Sequence, residues 1–146
     1  MAETVLITGA AKRIGQATAL AFARKGCNLV IHYNQSFQQA QLVQQQINNI
    51  TPNSCELIQA NLAETAHCQQ VIDFALDRFG RLDHLVNNAS VFFPTPILES
   101  TASEFESICK TNLFAPKQLS EYAAPFLKSQ RGSIINLIDI YADSGL

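Results

Sequence analysis

The sequence predicts an α/β protein built on a doubly wound parallel sheet, and three observations support this prediction. Five short apolar runs recur along the chain, namely Val5–Ile7, Leu29–Ile31, Leu57–Ile58, Leu85–Val86 and Ile134–Ile138. The segments between these runs have helical spacing of their apolar residues, so strands and helices alternate. A glycine-containing turn follows the first run. Because crossovers between parallel strands are right-handed, we expect the strand order 3-2-1-4-5, with ligands at the carboxyl ends of the strands.

Each of the first three helices should lay one apolar face on the sheet, because side chains three or four residues apart share a side of a helix. The helix before the fifth strand should run from about Ser103 to Ser129 and be interrupted by Pro116, which frees the carbonyl of Asn112. A packing kink without functional meaning is the alternative. The expected faces are Ile14, Ala17, Ala21 and Phe22; then Ala40, Val43, Ile47 and Ile50; then Cys68, Ile72, Ala75, Leu76 and Phe79.

The fifth strand, Ser133–Ile138, is almost continuously apolar, as in strands that are covered on both faces. The sequence contains no segment after this strand that would form a neighbouring strand or a covering helix. We therefore expect the strand to be an exposed, hydrophobic sheet edge. The corresponding prediction is a single domain over residues 1–146 that is incomplete at its C-terminal end.

The composition argues against several classes of function. The chain has 146 residues, 47% of them hydrophobic and 15% charged, with a net charge of −2, so we expect no nucleic-acid partner. No apolar run is long enough to span a membrane and the N-terminus lacks the basic start of a secretion signal, so a cytoplasmic protein is expected. The four cysteines and three histidines are irregularly spaced, and no metal site is predicted.

The segment Thr8–Gly15 has the features of a phosphate-binding turn. It follows the first apolar run and opens the first helix. Gly9 permits a tight exit from the strand, Gly15 lets the helix lie close to the sheet, and free N–H groups at the start of the helix attract an anion. A plain entry turn into a helix can have the same glycines, so the turn alone leaves the function open.

Three segments together resemble the short-chain dehydrogenases/reductases, a family with the Rossmann fold. The turn is similar to their Thr-Gly-x3-Gly-x-Gly element, with Arg13 in place of the middle glycine. Asn87-Asn88-Ala89-Ser90 resembles their Asn-Asn-Ala-Gly element, and Asn61-Leu62 stands where they have aspartate and an apolar residue that receives adenine. The resemblance implies a dinucleotide-binding Rossmann domain over residues 1–146, whose cofactor contacts include Gly9, Lys12, Arg13, Ile14, Gly15, Asn61, Leu62, Asn88, Ala89 and Ser90.

The end of the second strand favours NADP as the cofactor. Sites for NAD place a carboxylate here to bind the ribose 2′-hydroxyl, and the segment His32–Ser36 contains none. Asn34 and Ser36 offer hydrogen-bond donors, while Lys12 and Arg13 add positive charge. A ribose 2′-phosphate is therefore expected to bind near these four residues.

A finer resemblance is to the pteridine reductases within this family. It rests on Arg13, on the segment Asn88–Pro96, and on Asp139, which stands where most of the family has the catalytic serine. The resemblance implies that Phe92 stacks on a pterin and that Ser90 and Arg13 contact the pterin or a cofactor phosphate. It also places Asp139 in the catalytic group and at the substrate. The implied reaction is NADPH-dependent reduction of a small-molecule dihydropterin or dihydrofolate.

One element of the family is missing from the sequence. The Tyr-x-x-x-Lys motif, whose tyrosine donates a proton, does not occur, since Tyr141 is followed four residues later by Gly145. Asn112 matches the family's asparagine that positions a water beside the catalytic lysine. We expect the 146-residue chain alone to be inactive and the complete protein to be a homo-oligomer. A generic carbonyl or 3-oxoacyl reductase and a non-catalytic nucleotide-binding remnant are the alternatives.

Overall fold

The computed structural model describes residues 1–138, which form a five-stranded parallel sheet flanked by helices. The order across the sheet is β3-β2-β1-β4-β5, and each neighbouring pair is parallel. The predicted fold class and strand order are confirmed. The strands are Thr4–Ile7 (β1), Asn28–Tyr33 (β2), Cys55–Gln59 (β3), His84–Asn87 (β4) and Ser133–Asn136 (β5).

The helices follow the strands in the alternation that the sequence predicts. Within residues 1–138, no helix is both long enough and apolar enough to cross a membrane. The helices are Arg13–Ala23 (α1), Phe37–Ile50 (α2), Thr65–Phe79 (α3), Ala102–Cys109 (α4) and Ala115–Gln130 (α5), and the π-helical segment Lys110–Phe114 joins α4 to α5.

The two faces of the sheet carry separate hydrophobic cores. One core packs α3 and α5 against strand residues such as Leu6 and Leu85, and the other packs α1 and α2 against residues such as Ile7 and Ile31. Consecutive residues of a strand point to opposite faces, which explains why Leu6 and Ile7 belong to different cores. Both cores contain residues of β1, β2 and β4, so the ends of these three strands are anchored on both faces of the sheet.

The face predicted for α1 is wrong except at Phe22, which is partly buried and packs against the core. The buried residues of the helix are Gly15, Ala19 and Ala23, because close contact at Gly15 turns the smallest side chains toward the sheet. Periodicity alone cannot choose between two alanine-containing faces of one helix. The faces predicted for α2 and α3 are buried or partly buried apart from Ile50 at the end of α2. The expected α1 core residues that are exposed instead are Ile14, Ala17 and Ala21.

The fifth strand differs from the other four. All four residues of β5 are exposed, and in the described part of the chain β5 is the edge of the sheet, as predicted. Ile134 and Ile135 are 38% and 43% exposed. The strand ends at Asn136, two residues before the predicted end. An apolar side of this edge therefore faces outward within residues 1–138.

Candidate functional site

The turn between β1 and α1 is held in close contact with the end of β4. Gly9 has a φ of +63°, and a β-carbon there would lie 2.8 Å from the Cα of Ala89. A β-carbon on Gly15 would lie 2.6 Å from the side-chain nitrogen of Asn88. Both distances are too short for any larger residue. The two glycines that the sequence singles out are thus required by the approach of β4 and its following residues.

Hydrogen bonds join the same two segments. The hydroxyl oxygen of Thr8 accepts the backbone N–H groups of Asn88 and Ala89, at 3.0 and 2.9 Å. In return, the side-chain amide of Asn88 donates to the carbonyls of Thr8 and Gly9, at 2.9 and 3.0 Å. Four bonds between two loops leave little freedom to either. The sequence predicted both segments, but not that Thr8 would pair them.

Arg13 has a left-handed backbone, with a φ of +52°. L-residues other than glycine pay roughly 1–2 kcal/mol for this conformation. The side chain of Arg13 is exposed, as are those of Lys12 and Ile14 beside it. Arg13 thus adopts the left-handed conformation that glycine adopts most easily, and its guanidinium lies exposed at the edge of the sheet. Strain of this kind is concentrated at functional sites.

A cavity of about 790 Å³ opens at the carboxyl ends of β4 and β5. It brings together six of the predicted site residues and adds Lys117, Ser120 and Asn136, which the sequence analysis did not select. Phe92 is 84% exposed at this cavity, whereas the neighbouring Phe93 is half-buried. The six predicted residues in its lining are Ile14, Asn88, Ala89, Ser90, Phe92 and Asn112.

Asn112 holds the loop that carries these residues. Its side-chain oxygen accepts the N–H of Val91 at 2.9 Å, and its side-chain nitrogen donates to the carbonyl of Val91 at 2.8 Å. The π-helical turn around Asn112 lies just before Pro116, which has no N–H to donate to the Asn112 carbonyl. The predicted helix interruption is confirmed, and it takes the form of a widened turn.

The predicted nucleotide contacts beyond the turn lie at the ends of β2 and β3. Asn34 is exposed, and its carbonyl accepts a bond of 2.9 Å from the side chain of Gln59. Ser36 precedes α2, and its side chain makes no capping bond. Asn61 is exposed, whereas Leu62 is 5% exposed and belongs to the core. Of Asn61 and Leu62, only Asn61 has a side chain that a ligand could contact.

The strand ends are linked below the cavity by Asn87. Its buried side chain donates to the side-chain oxygen of Asn136 at 2.8 Å and so ties β4 to β5. Within residues 1–138, the side-chain oxygen of Asn87 is buried without a hydrogen-bond partner. The predicted catalytic residue Asp139 lies outside the described residues.

The thiols of Cys55 and Cys68 are not reactive groups of this site. Burial raises the pKa of Cys55 to about 12 and that of Cys68 to about 11, so both stay protonated at neutral pH. Across the described residues, no three side chains of the metal-ligating types lie together.

Comparison with known proteins assigns the family. The model of the short-chain dehydrogenase family matches residues 3–145. A 3-oxoacyl-[acyl-carrier-protein] reductase of Synechocystis sp. is 36% identical, with 95% of this chain and 56% of that protein aligned. Pteridine reductase 1 of Leishmania tarentolae is 31% identical over 94% of this chain and 61% of that protein. The chain therefore belongs to the short-chain dehydrogenase family of oxidoreductases, and the predicted family is confirmed.

The same comparisons show how much of each relative's length this chain covers. A further relative, 3-oxoacyl-[acyl-carrier-protein] reductase FabG of Staphylococcus aureus, is 32% identical, with 99% of this chain but only 59% of that protein aligned. The chain spans roughly two-fifths to three-fifths of the length of curated relatives such as these. Relatives named for pterin and for oxoacyl substrates have similar levels of identity.

Proposed function

We propose that the chain binds NADPH across the carboxyl ends of its strands, as the cofactor site of a single dinucleotide-binding domain. The pyrophosphate would lie at the start of α1, beside the turn that Thr8 and Asn88 hold in place. Oriented N–H groups and the positive end of the helix dipole favour an anion there. The observation that carries this proposal is the close approach at Gly9, which packs the turn directly against Ala89 after β4 and leaves no room for a side chain there.

The residues at the end of β2 support a preference for NADPH over NADH. Ala11 packs with Tyr33 and Ala40, so the neighbouring Lys12 would lie near the segment that contains Asn34 and Ser36. The first turn of α2 carries no acidic residue. A 2′-phosphate would meet a cation, an uncommitted hydroxyl and the positive end of a helix dipole, with no carboxylate in that first turn.

Fluorescence titration with NADPH and NADH tests the cofactor assignment. Because a charge-assisted contact contributes about 1.5–3 kcal/mol, Lys12→Ala should lower NADPH affinity by roughly ten- to a hundredfold and leave NADH affinity nearly unchanged. Asn34→Asp should shift the preference toward NADH by repelling the phosphate. Lys25→Ala, at an exposed site beyond the end of α1, is the control. Equal affinity of the unmutated chain for both nucleotides would refute the assignment.

For the substrate, we infer a pterin that stacks on Phe92. The ring of Phe92 is exposed at the cavity, while Phe93 is partly covered, so the two neighbours differ in what they offer a ligand. Aromatic stacking contributes about 0.5–1.5 kcal/mol beyond burial. A 3-oxoacyl substrate is the second candidate, since two of the relatives described above are named for it.

Binding of dihydropterin to the NADPH-saturated chain distinguishes these candidates. Phe92→Ala should weaken dihydropterin binding by about three- to tenfold and leave NADPH affinity unchanged, whereas Phe93→Ala should change stability only. Unchanged dihydropterin affinity in Phe92→Ala would favour the oxoacyl substrate.

Catalysis would further need a proton donor, which in this family comes from the Tyr-x-x-x-Lys motif. The motif is absent from these 146 residues. Positioned acid catalysis contributes about 10²–10⁴-fold to a rate, so we expect NADPH binding without measurable pterin reduction by this chain. Exposed apolar side chains on the α4–α5 face, such as Phe105, Leu113 and Phe114, favour a homo-oligomer in the complete protein.

A further inference from the structure

His32 occupies an unusual position, since it is a polar residue inside an apolar strand. Its side chain is 2% exposed, yet both ring nitrogens have hydrogen-bond partners. Nδ1 lies 3.1 Å from the backbone nitrogen of Gly9, and Nε2 lies 3.0 Å from the carbonyl oxygen of Ala60. The imidazole therefore connects three strand ends, because Gly9 follows β1, His32 lies in β2 and Ala60 follows β3.

The partners determine which nitrogen of His32 carries the proton. The N–H of Gly9 can only donate, so Nδ1 accepts, and the proton lies on Nε2, which donates to Ala60. Burial lowers the pKa of His32 to about 4, although the bond to Ala60 acts in the opposite direction. The ring is thus neutral at neutral pH, as the bond from Gly9 requires.

Backbone bonds reinforce the same connection. The carbonyl of His32 accepts the N–H of Ala10 at 3.0 Å, and the carbonyl of Tyr33 accepts the N–H of Ala60 at 3.1 Å. Two consecutive amides of the glycine turn are therefore already bound by His32. An anion would have to use amides further along the turn, toward the start of α1.

We propose that His32 is a positioning residue of the nucleotide site, whose imidazole fixes the glycine turn relative to the segment that follows Ala60. This inference rests on the proposed binding of NADPH, because one end of that ligand would contact the turn and the other would lie near Asn61. A nucleotide that spans both ends needs their relative position to be fixed before binding. A ligand that touches one end does not.

Substitutions can separate the two bonds of the imidazole. His32→Asn keeps a side-chain oxygen near the position of Nδ1, His32→Gln reaches the position of Nε2 but has a methylene near Nδ1, and His32→Leu removes both polar atoms. The probes are NADPH, which spans the site, and adenosine, which lacks both the pyrophosphate and the 2′-phosphate and would therefore contact only the end near Asn61. Urea unfolding of each variant reports its stability.

We expect His32→Leu and His32→Gln to weaken NADPH binding by about tenfold or more, and His32→Asn to stay within about threefold of the unmutated chain. Adenosine should bind all three variants within about threefold of the unmutated chain. A purely structural role would lower the affinities for both probes together. His84→Leu, at the amino end of β4, is the matched control and should leave both affinities unchanged.

Several outcomes would overturn the inference. These are equal NADPH affinity in the Asn, Gln and Leu variants, or equal losses for the two probes. If His32→Leu fails to fold, the comparison of Asn with Gln decides. If the unmutated chain binds no NADPH, the proposed function itself fails. If that chain binds NADPH and the variants do so equally well, only the role of His32 fails.

Discussion

The two ends of the sheet differ in how their residues are held. Around β1 and β2, buried and partly buried bonds of Thr8 and His32 fix the glycine turn to the segments that follow β4 and β3. Around β5, the strand is exposed, and the segment after Ser90 presents side chains such as Phe92 and Leu98 to the outside. The described residues thus order the proposed nucleotide side by their own contacts, while the proposed substrate side remains open.

The physical difference lies in burial. A hydrogen bond between buried groups resists opening, because breaking it leaves an unsatisfied donor or acceptor, whereas an exposed bond can exchange with water. The bond between His32 and Ala60 is buried and those of Thr8 and His32 to the facing loops are partly buried, whereas the bonds between Asn112 and Val91 are exposed. Nucleotide binding should therefore be separable from order on the substrate side.

The strongest test of this comparison is a methyl group at Gly9. Gly9→Ala should lower the free energy of unfolding by about 3–5 kcal/mol, because left-handed strain adds to a clash with Ala89. It should also abolish NADPH binding. Gly26 is the matched control, since its φ of +79° imposes similar strain in open space. Gly26→Ala should cost about 1–2 kcal/mol in urea unfolding and leave the NADPH affinity intact.

Equal destabilisation by Gly9→Ala and Gly26→Ala would mean that Ala89 does not pack tightly against the turn. The contrast between a tightly held turn and an open β5 end would then fail.

Acid should destabilise the nucleotide side through His32. In the unfolded chain, His32 takes up a proton near pH 6.5, but in the folded chain only near pH 4. Its contribution is therefore fully present above pH 6.5 and is lost as the pH falls toward 4. The loss should reach about 3 kcal/mol, from a shift of about 2.5 units at 1.36 kcal/mol each.

Urea unfolding between pH 7.5 and 4 measures this effect. His32→Asn should show a shallower pH dependence than the unmutated chain, whatever its stability at pH 7.5. Parallel curves for the two proteins would show that other groups cause the acid sensitivity.

The smallest effect is expected on the substrate side. Asn112→Ala removes two exposed hydrogen bonds to Val91 and should lower the free energy of unfolding by about 1 kcal/mol or less. Hydrogen exchange at Val91 should accelerate, and dihydropterin binding should weaken. NADPH affinity should stay within about twofold. A large loss of NADPH affinity in Asn112→Ala would show that the two sides are coupled.

Much of the candidate site could be predicted because its signals are local. Gly9 and Gly15 follow an apolar run, Asn88 follows another, and Pro116 marks a helix interruption. Each signal lies within a few residues of the element it affects. Alternating strands and right-handed crossovers then determine the sheet order, and so which strand ends meet.

The contacts made by Thr8, His32 and Asn112 could not be predicted in the same way. They join residues that are 80 or 81, 23 or 28, and 21 positions apart, respectively. The sequence contained one indication of the role of His32. The histidine interrupts the apolar sequence of β2, and a polar group buried there needs hydrogen-bond partners. The identity of those partners depends on strands that meet only after folding.

By itself, the sequence determined the alternation of strands and helices, the sheet order and the location of the turn at the strand ends, because periodicity and glycine positions are properties of short segments. Tertiary structure alone decided that Gly15, Ala19 and Ala23 form the buried face of α1 and that His32 joins three strand ends. The rotation of a helix and the partners of a buried side chain depend on distant residues that pack against them, and no local pattern contains that information.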